Sequence, residues 1–368
     1  MIQDLTVKTG PQIYEFHEGA IDHIPDILQS YRTERVLIIH GDISWKKAKP
    51  YLKALIHSDN IIYYEQYGGE CSYNEANRIA EIVHKNKIDF IIGVGAGKLS
   101  DLTLQVAAVS NRPYGLVATM ASNCAPWTPL SVMYKDDGTS EGFSKHEDRQ
   151  AVFLLLDPKL ILDSPIRYYI AGVADTMAKW YESDLMLTQP RFQNEPFLLM
   201  ARQATVLCRQ TMLDISEKAI EDMKNGIVSE EFKQVAEIII AISGLVGGFA
   251  NKYARVTLAH AIHDSLAGNI DNIHQYTHGE IVAYGIFFQL AMENNWDEIK
   301  ALIPFYKKLN LPKSLKDMNA FPIDEDTLDA VVDMTYKRDQ IHVLPFEITR
   351  DSIKEGILTL ESFIDELN

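Results

Sequence analysis

The stretch "DFIIGVGAGKLSD" (89–101) is a short apolar run that passes through Gly93, Gly95 and Gly97 into a pattern with helical spacing. An apolar run of this length, bounded by a turn, predicts a buried strand. Glycines where a strand gives way to a helix let the backbone approach a phosphate. The first turn of the helix then offers free N–H groups and the positive end of its dipole. The spacing fits neither standard fingerprint. A GxGxxG motif needs glycine where Lys98 stands, and a Walker A motif needs Ser or Thr where Leu99 stands. Read by itself, the turn serves equally as a tight bend of small residues or as a pyrophosphate cradle.

The same grammar repeats on both sides. "RVLIIHGD" (35–42), "NIIYYEQY" (60–67) and "YGLVATMAS" (114–122) predict strands. "WKKAKPYLKALIHSD" (45–59), "SYNEANRIAEIVHKN" (72–86) and "LSDLTLQVAAVSN" (99–111) predict helices. Strands alternating with helices imply βαβ units and a parallel sheet. "PLSVMYKDDGTSEGFSKHEDRQAVFLLLD" (129–157) predicts a hairpin about Asp137-Gly138 followed by a further strand. From about residue 165 the spacing turns helical almost to the end, as in "EFKQVAEIIIAISGLVGGFA" (231–250) and "GEIVAYGIFFQLAMENN" (279–295). The expected architecture is an N-terminal α/β domain with a parallel, Rossmann-like sheet (1–163), joined to an all-α C-terminal domain (164–368). An active site is expected in the cleft between them.

Composition narrows the function. The chain has 368 residues, 46% hydrophobic and 23% charged, enough for two domains with substantial cores. A net charge of −16 argues against nucleic-acid and anionic-membrane partners, which need a basic face. Cys71, Cys124 and Cys208 are an odd number and include no CxxC pair, so a disulfide framework and a cysteine zinc site are not expected and a reducing cytoplasm is. No signal-like N-terminus and no run of about 18 apolar residues is read.

Four of eleven histidines fall in "TLAHAIHDSLAGNIDNIHQYTHGE" (257–280): His260, His263, His274 and His278. A helix puts His260 and His263 on one face, and His278 opens the next helical pattern. Two histidines from successive helices can converge on one ion, and a catalytic site of this type keeps three protein ligands and an open position. Asp175, within the apolar "AGVADTMAKWYESD" (171–184), supplies the third. A carboxylate there is costly unless paired or metal-bound, although an N-cap role for the helix beyond it is the alternative. Thr119 and Ser122 follow a strand, where hydroxyls meet a phosphate or ribose as readily as they make a turn. Asp42, after the first strand, suits a ribose hydroxyl or a helix cap.

Together these motifs resemble the glycerol-dehydrogenase branch of the iron-containing alcohol dehydrogenase family, over nearly the whole chain. "GVGAGKLSD" resembles GVGGGKTLD, "TMAS" resembles TIAS, and "LSVMY" resembles LSVIY. "GVADTMAKWYE" resembles GIGDALATWFE, "HAIH" matches, and "THGEIVAYG" resembles YHGEKVAFG. The resemblance implies an NAD(P)-linked dehydrogenase acting on a hydroxyl at Zn²⁺ or Fe²⁺, forming homo-oligomers. It implies Asp175, His260 and His278 as metal ligands, with His260 and His263 at the chemistry. Gly95, Ala96, Gly97, Lys98, Asp101, Thr119, Ser122, Thr128, Leu130 and Tyr134 fall at cofactor positions, and Asp42 at the adenosine ribose. Asp42 would repel a 2′-phosphate and so favours NAD. His274 matches no assigned role.

Two departures bear on substrate. The glycerol enzymes read STDAP, and this chain reads "SNCAP", so Cys124 replaces the aspartate that contacts the polyol. Arg255 stands five residues before His260, where those enzymes carry a small residue. On a continuous helix it would lie within roughly 140° of His260. A guanidinium binds a carboxylate with two parallel hydrogen bonds, although a salt bridge would serve it equally. These features resemble the hydroxycarboxylate dehydrogenase subgroup, and the expected substrate is a small 2-hydroxy or 2-oxo acid bound by Cys124, Arg255 and His260. A polyol dehydrogenase is the alternative. A dehydroquinate-synthase-like lyase would need more basic residues than Lys98, Lys179 and Arg255 provide.

Overall fold

A computed structural model describes residues 2–254 and 257–367. The chain divides into two units. One comprises Lys8–Tyr169 with Glu221–Gly244, and the other Met1–Val7, Ile170–Ile220 and Leu245–Asn368.

The first unit is α/β. Its strands are β1 (Ile13–Phe16), β2 (Arg35–His40), β3 (Ile61–Gln66), β4 (Phe90–Gly95), β5 (Tyr114–Ala118), β6 (Leu130–Tyr134), β7 (Ser140–His146) and β8 (Phe153–Leu156). Six form a sheet in the order β1-β8-β5-β4-β2-β3, every pairing parallel. β6 and β7 make a separate antiparallel hairpin. The inner strands are buried end to end, as their continuous apolar runs require, and Val36, Ile38, Phe90, Ile92, Val117, Phe153 and Leu155 share one core. Connections reverse direction between β2 and β4. β2 leads outward to β3, whereas β4 leads to β5 on the other side, and such a switch point opens a crevice at the carboxyl ends of the strands.

Two details differ from the sequence reading. β1 is only four residues long, too short for periodicity to reveal. The helix expected over 45–59 is broken into Asp42–Ala48, a tight turn at Lys49–Tyr51, and Lys53–Ile56, because Pro50 cannot donate to the helical ladder. The segment Glu221–Gly244 reads as helix and packs within the α/β unit. There Tyr169 stacks on Phe232 and donates its hydroxyl to the Phe232 carbonyl at 2.8 Å.

The second unit is helical. Leu258–Asn269, His278–Met292, Glu325–Tyr336 and Arg350–Leu367 pack on one another around Leu266, Phe287, Val331 and Ile357. The run Glu230–Tyr253 is long and apolar enough to cross a membrane, yet 61% of its most apolar window is buried in the protein.

Candidate metal centre

Asp175 lies deep inside the helix Ile166–Leu187 and so is not its N-cap. His260 sits in the first turn of Leu258–Asn269, and His278 is the first residue of His278–Met292. The last of these starts where the sequence says it should, because Thr277 and Glu280 form a reciprocal capping box: the Thr277 N–H reaches the Glu280 carboxylate at 2.6 Å and the Thr277 hydroxyl accepts from the Glu280 N–H.

Two glycines then bring three helices together. A Cβ on Gly279 would stand 1.9 Å from the Ala171 carbonyl oxygen, and one on Gly285 would stand 2.3 Å from that of Ala259. Only glycine permits backbones so close. The first contact sets Gly279 against Ala171, one turn before Asp175, and so brings the adjacent His278 beside that carboxylate, while the second fixes the same helix against the neighbour of His260.

The result is a compact donor set, buried at Asp175 and His260. Asp175 Oδ1 is 3.2 Å from His260 Nε2 and 3.3 Å from His278 Nε2, and the three donor atoms lie within 4.8 Å of one another. A tetrahedral ion with ligand distances of about 2.1 Å separates neighbouring donors by about 3.4 Å. The spacing therefore fits an ion. Asp175 is buried and the His278 side chain is 44% exposed, which leaves an open side.

Supporting groups fix both imidazoles. Glu182 Oε2 accepts from His260 Nδ1 at 2.6 Å, while its Oε1 accepts the Thr257 and His260 N–H groups at 2.7 and 2.9 Å. One carboxylate thus caps a helix and orients a ligand. On the other side His278 Nδ1 meets His263 Nε2 at 2.9 Å, His263 Nδ1 meets Asp264 at 2.9 Å, and Asp264 pairs with Arg338 at 2.9 Å. Asp264 only accepts, so His263 carries its hydrogen on Nδ1, and His278 donates its own Nδ1 hydrogen to His263. Both ligating histidines consequently keep a hydrogen on Nδ1 and turn Nε2 toward Asp175, the nitrogen a metal ligand presents.

Electrostatics agree. Burial acts to raise the Asp175 pKa, but Lys179, His260 and His278 more than offset it and hold the carboxyl well below its ordinary range. Burial acts to lower the His260 pKa, but the Glu182 charge and the ring's hydrogen bonds to both carboxylates raise it to about 9. The pocket therefore demands positive charge between Asp175 and Glu182, and a divalent ion would supply it in place of the proton. Burial and His278 push His263 down to about 4, so it is neutral.

His274 lies on an exposed turn, and Cys124 is half-buried in the α/β unit. Arg255 lies outside the described residues. The helix carrying His260 begins at Leu258. Glu182, Asp264 and Arg338 escaped the sequence reading. A signal existed for Glu182, seven residues past Asp175 and hence on the same helix face.

Of the cofactor candidates, Gly95 ends β4, Thr119 follows β5 and Asp42 follows β2, at the carboxyl edge of the sheet. Ala96 caps the helix Gly97–Ser110, whose first N–H groups have no intrahelical partner. Thr119 N bonds the Gly95 carbonyl at 3.1 Å, holding the β5 end beside the turn. Lys98 pairs with Glu70 at 2.8 Å above the Tyr134 ring. Asp101 is buried, its carboxyl pushed well up by burial, and its Oδ2 accepts from Val132 N at 3.1 Å between Leu130 and Tyr134 of the hairpin. Ser122 and Thr128 are half-buried. Asp42 begins a helix behind Gly41 and pairs with Lys46 at 2.7 Å, an exposed pair that a ligand can displace.

Residues 11–158 match the iron-containing alcohol dehydrogenase family. The chain is 31% identical over 363 residues to hydroxycarboxylate dehydrogenase A of Escherichia coli (strain K12), covering 98% of each chain. It is 28% identical over 334 residues to a glycerol dehydrogenase of Citrobacter freundii, covering 88% of each. The crystal structure of a probable glycerol dehydrogenase from Sinorhizobium meliloti 1021 superposes with a TM-score of 0.85 at 25% identity, over 98% of this chain and 99% of that one.

Proposed function

The chain belongs to the iron-containing alcohol dehydrogenase family, and we propose that it interconverts small 2-hydroxy acids and 2-oxo acids with NAD. It is a metal-dependent, nicotinamide-linked oxidoreductase acting on a CH–OH group. The observation behind the assignment of the centre is the donor set itself: one carboxylate oxygen facing two Nε2 atoms at 3.2 and 3.3 Å, with both tautomers fixed from behind.

Asp175, His260 and His278 would hold the ion, and Zn²⁺ and Fe²⁺ both suit these ligand types. When bound, the ion supplies dense positive charge that acidifies a hydroxyl and polarises a ketone, and nicotinamide accepts or returns hydride. The chain's own residues do the rest. Glu182 holds the proton on His260 Nδ1. His263 receives the His278 Nδ1 hydrogen, and Asp264 and Arg338 hold His263 in place. Gly95, Ala96, Gly97 and Lys98 receive the cofactor pyrophosphate at the helix N-terminus, with Asp101, Thr119, Ser122, Thr128, Leu130 and Tyr134 around it. Asp42 accepts from the ribose hydroxyls. Arg255 binds the substrate carboxylate, and Cys124, lacking the aspartate's two acceptor oxygens, disfavours a polyol. We assign the protein to the cytoplasm, where its three free thiols stay reduced, as a homo-oligomer.

A paired rate assay on metal-reconstituted protein tests the reading. One arm follows NADH and NADPH oxidation with 2-oxobutyrate and 2-oxoglutarate, the other NAD reduction with glycerol. Oxo-acid turnover with little glycerol activity is expected, as is a rise in KM for the oxo acid on Arg255→Ala that a neutral ketone does not share. Glycerol turnover alone would make this a polyol dehydrogenase, the reading that the glycerol-dehydrogenase relatives favour.

A further inference from the structure

A second group of imidazoles and a carboxylate lies in the α/β unit. Glu15 stands near the end of β1. The chain then turns through Gly19, whose φ of +82° suits glycine, and a single helical turn at Ala20–His23 brings His23 back beside Glu15. The turn is pinned from outside, since Gly19 N donates to the Asp157 carboxylate at 2.9 Å. Glu15 Oε2 lies 2.9 Å from His17 Nε2 and 2.7 Å from His23 Nδ1, and the three donors lie within 4.8 Å of one another.

The hydrogen count shows what this arrangement needs. His17 Nδ1 faces the Glu18 carbonyl oxygen at 3.0 Å, which can only accept, so that nitrogen carries a hydrogen. A neutral His17 then turns an Nε2 lone pair toward an ionised carboxylate, and lone pair against lone pair is repulsive. The contact is favourable only with a cation between them. A proton is one such cation, and a divalent ion within reach of all three donors is another. The surroundings favour positive charge. The Asp157 carboxylate faces the turn and Glu18 is paired with Lys159 at 2.6 Å, so the nearby lysine is already committed.

We propose that Glu15, His17 and His23 ligate a second divalent metal ion, of the imidazole-favouring zinc, nickel and copper type, with solvent completing the shell. Magnesium and calcium, which prefer all-oxygen sites, are excluded by the two nitrogens. The donors must spread by about 0.5 to 0.7 Å from the present 2.9 and 2.7 Å to reach a tetrahedral edge. Side chains exposed as these are, at 52% for His17 and 51% for His23, do so by small rotations.

The test is zinc stoichiometry by equilibrium dialysis of chelator-stripped protein followed by elemental analysis. Wild type should bind about two zinc ions per chain, His17→Ala/His23→Ala about one with its turnover retained, and Asp175→Ala about one with turnover lost. His23→Gln alone should weaken the second site at least tenfold, which guards against a folding artefact in the double variant. Equal stoichiometry in wild type and the double variant overturns the proposal. A wild type that binds one ion, lost in the double variant, would instead contradict the Asp175 centre.

Discussion

Two histidine–carboxylate groups in this chain use the same ligand types and are built differently. Asp175, His260 and His278 are drawn from three helices, the carboxylate is buried, and each imidazole is held from behind by Glu182 or His263. Glu15 belongs to β1 and is half-buried, His17 and His23 come from the turn after it and are exposed, and a backbone carbonyl stands behind His17. The first keeps its donors 3.2–3.3 Å apart; the second lets them close to 2.7–2.9 Å. A metal centre that does chemistry is distinguished less by its ligands than by the groups that stop those ligands from finding each other.

The comparison breaks most sharply at Asp175. Asp175→Ala should abolish tight metal binding at the first group and lower kcat/KM by about 1,000-fold or more, with the far-ultraviolet circular dichroism retained. Gly279→Ala comes next. Its Cβ must displace the Ala171 backbone, at a cost of about 1–3 kcal/mol or more. The melting temperature and the zinc affinity should therefore fall together, and a variant that kept both would show that His278 does not depend on that close approach.

Smaller effects sharpen the contrast. Glu182→Gln should lower metal affinity and activity by about 10–100-fold, the usual scale for a supporting partner. His263→Ala should cost about tenfold in metal affinity. If His263 instead touches the substrate, kcat and KM will change with metal content intact, so the split between affinity and rate decides its role.

The smallest effect concerns burial without a cation. Glu361 accepts from Leu315 N at 2.8 Å and Lys316 N at 3.2 Å, yet burial pushes its pKa up to about 7. Its folded pKa lies above its unfolded one, so its contribution to stability is complete in acid and is lost as pH rises toward and through 7. The urea midpoint of wild type should fall between pH 5 and pH 8, and Glu361→Gln should flatten that slope. Asp175, equally buried but surrounded by Lys179, His260 and His278, is held low instead.

Much of this was legible in sequence. The apolar run into Gly95 and Gly97 declares a strand and the turn into the next helix, and the pattern that follows His278 declares another helix. The supports were hidden because they depend on which helices touch. The spacing from Asp175 puts Glu182 on the same helix face, but only the fold shows that His260, seventy-eight residues on, is what it meets. Gly279 and Gly285 look like helix-weakening residues until the Ala171 and Ala259 carbonyls are seen against them. Glu221–Gly244 carries the same helical periodicity whichever unit it packs into.

The most direct test is an anomalous difference map at the zinc edge from metal-loaded crystals. The account predicts a peak bounded by Asp175 Oδ1, His260 Nε2 and His278 Nε2. Density absent there in crystals of protein that turns over substrate would contradict it.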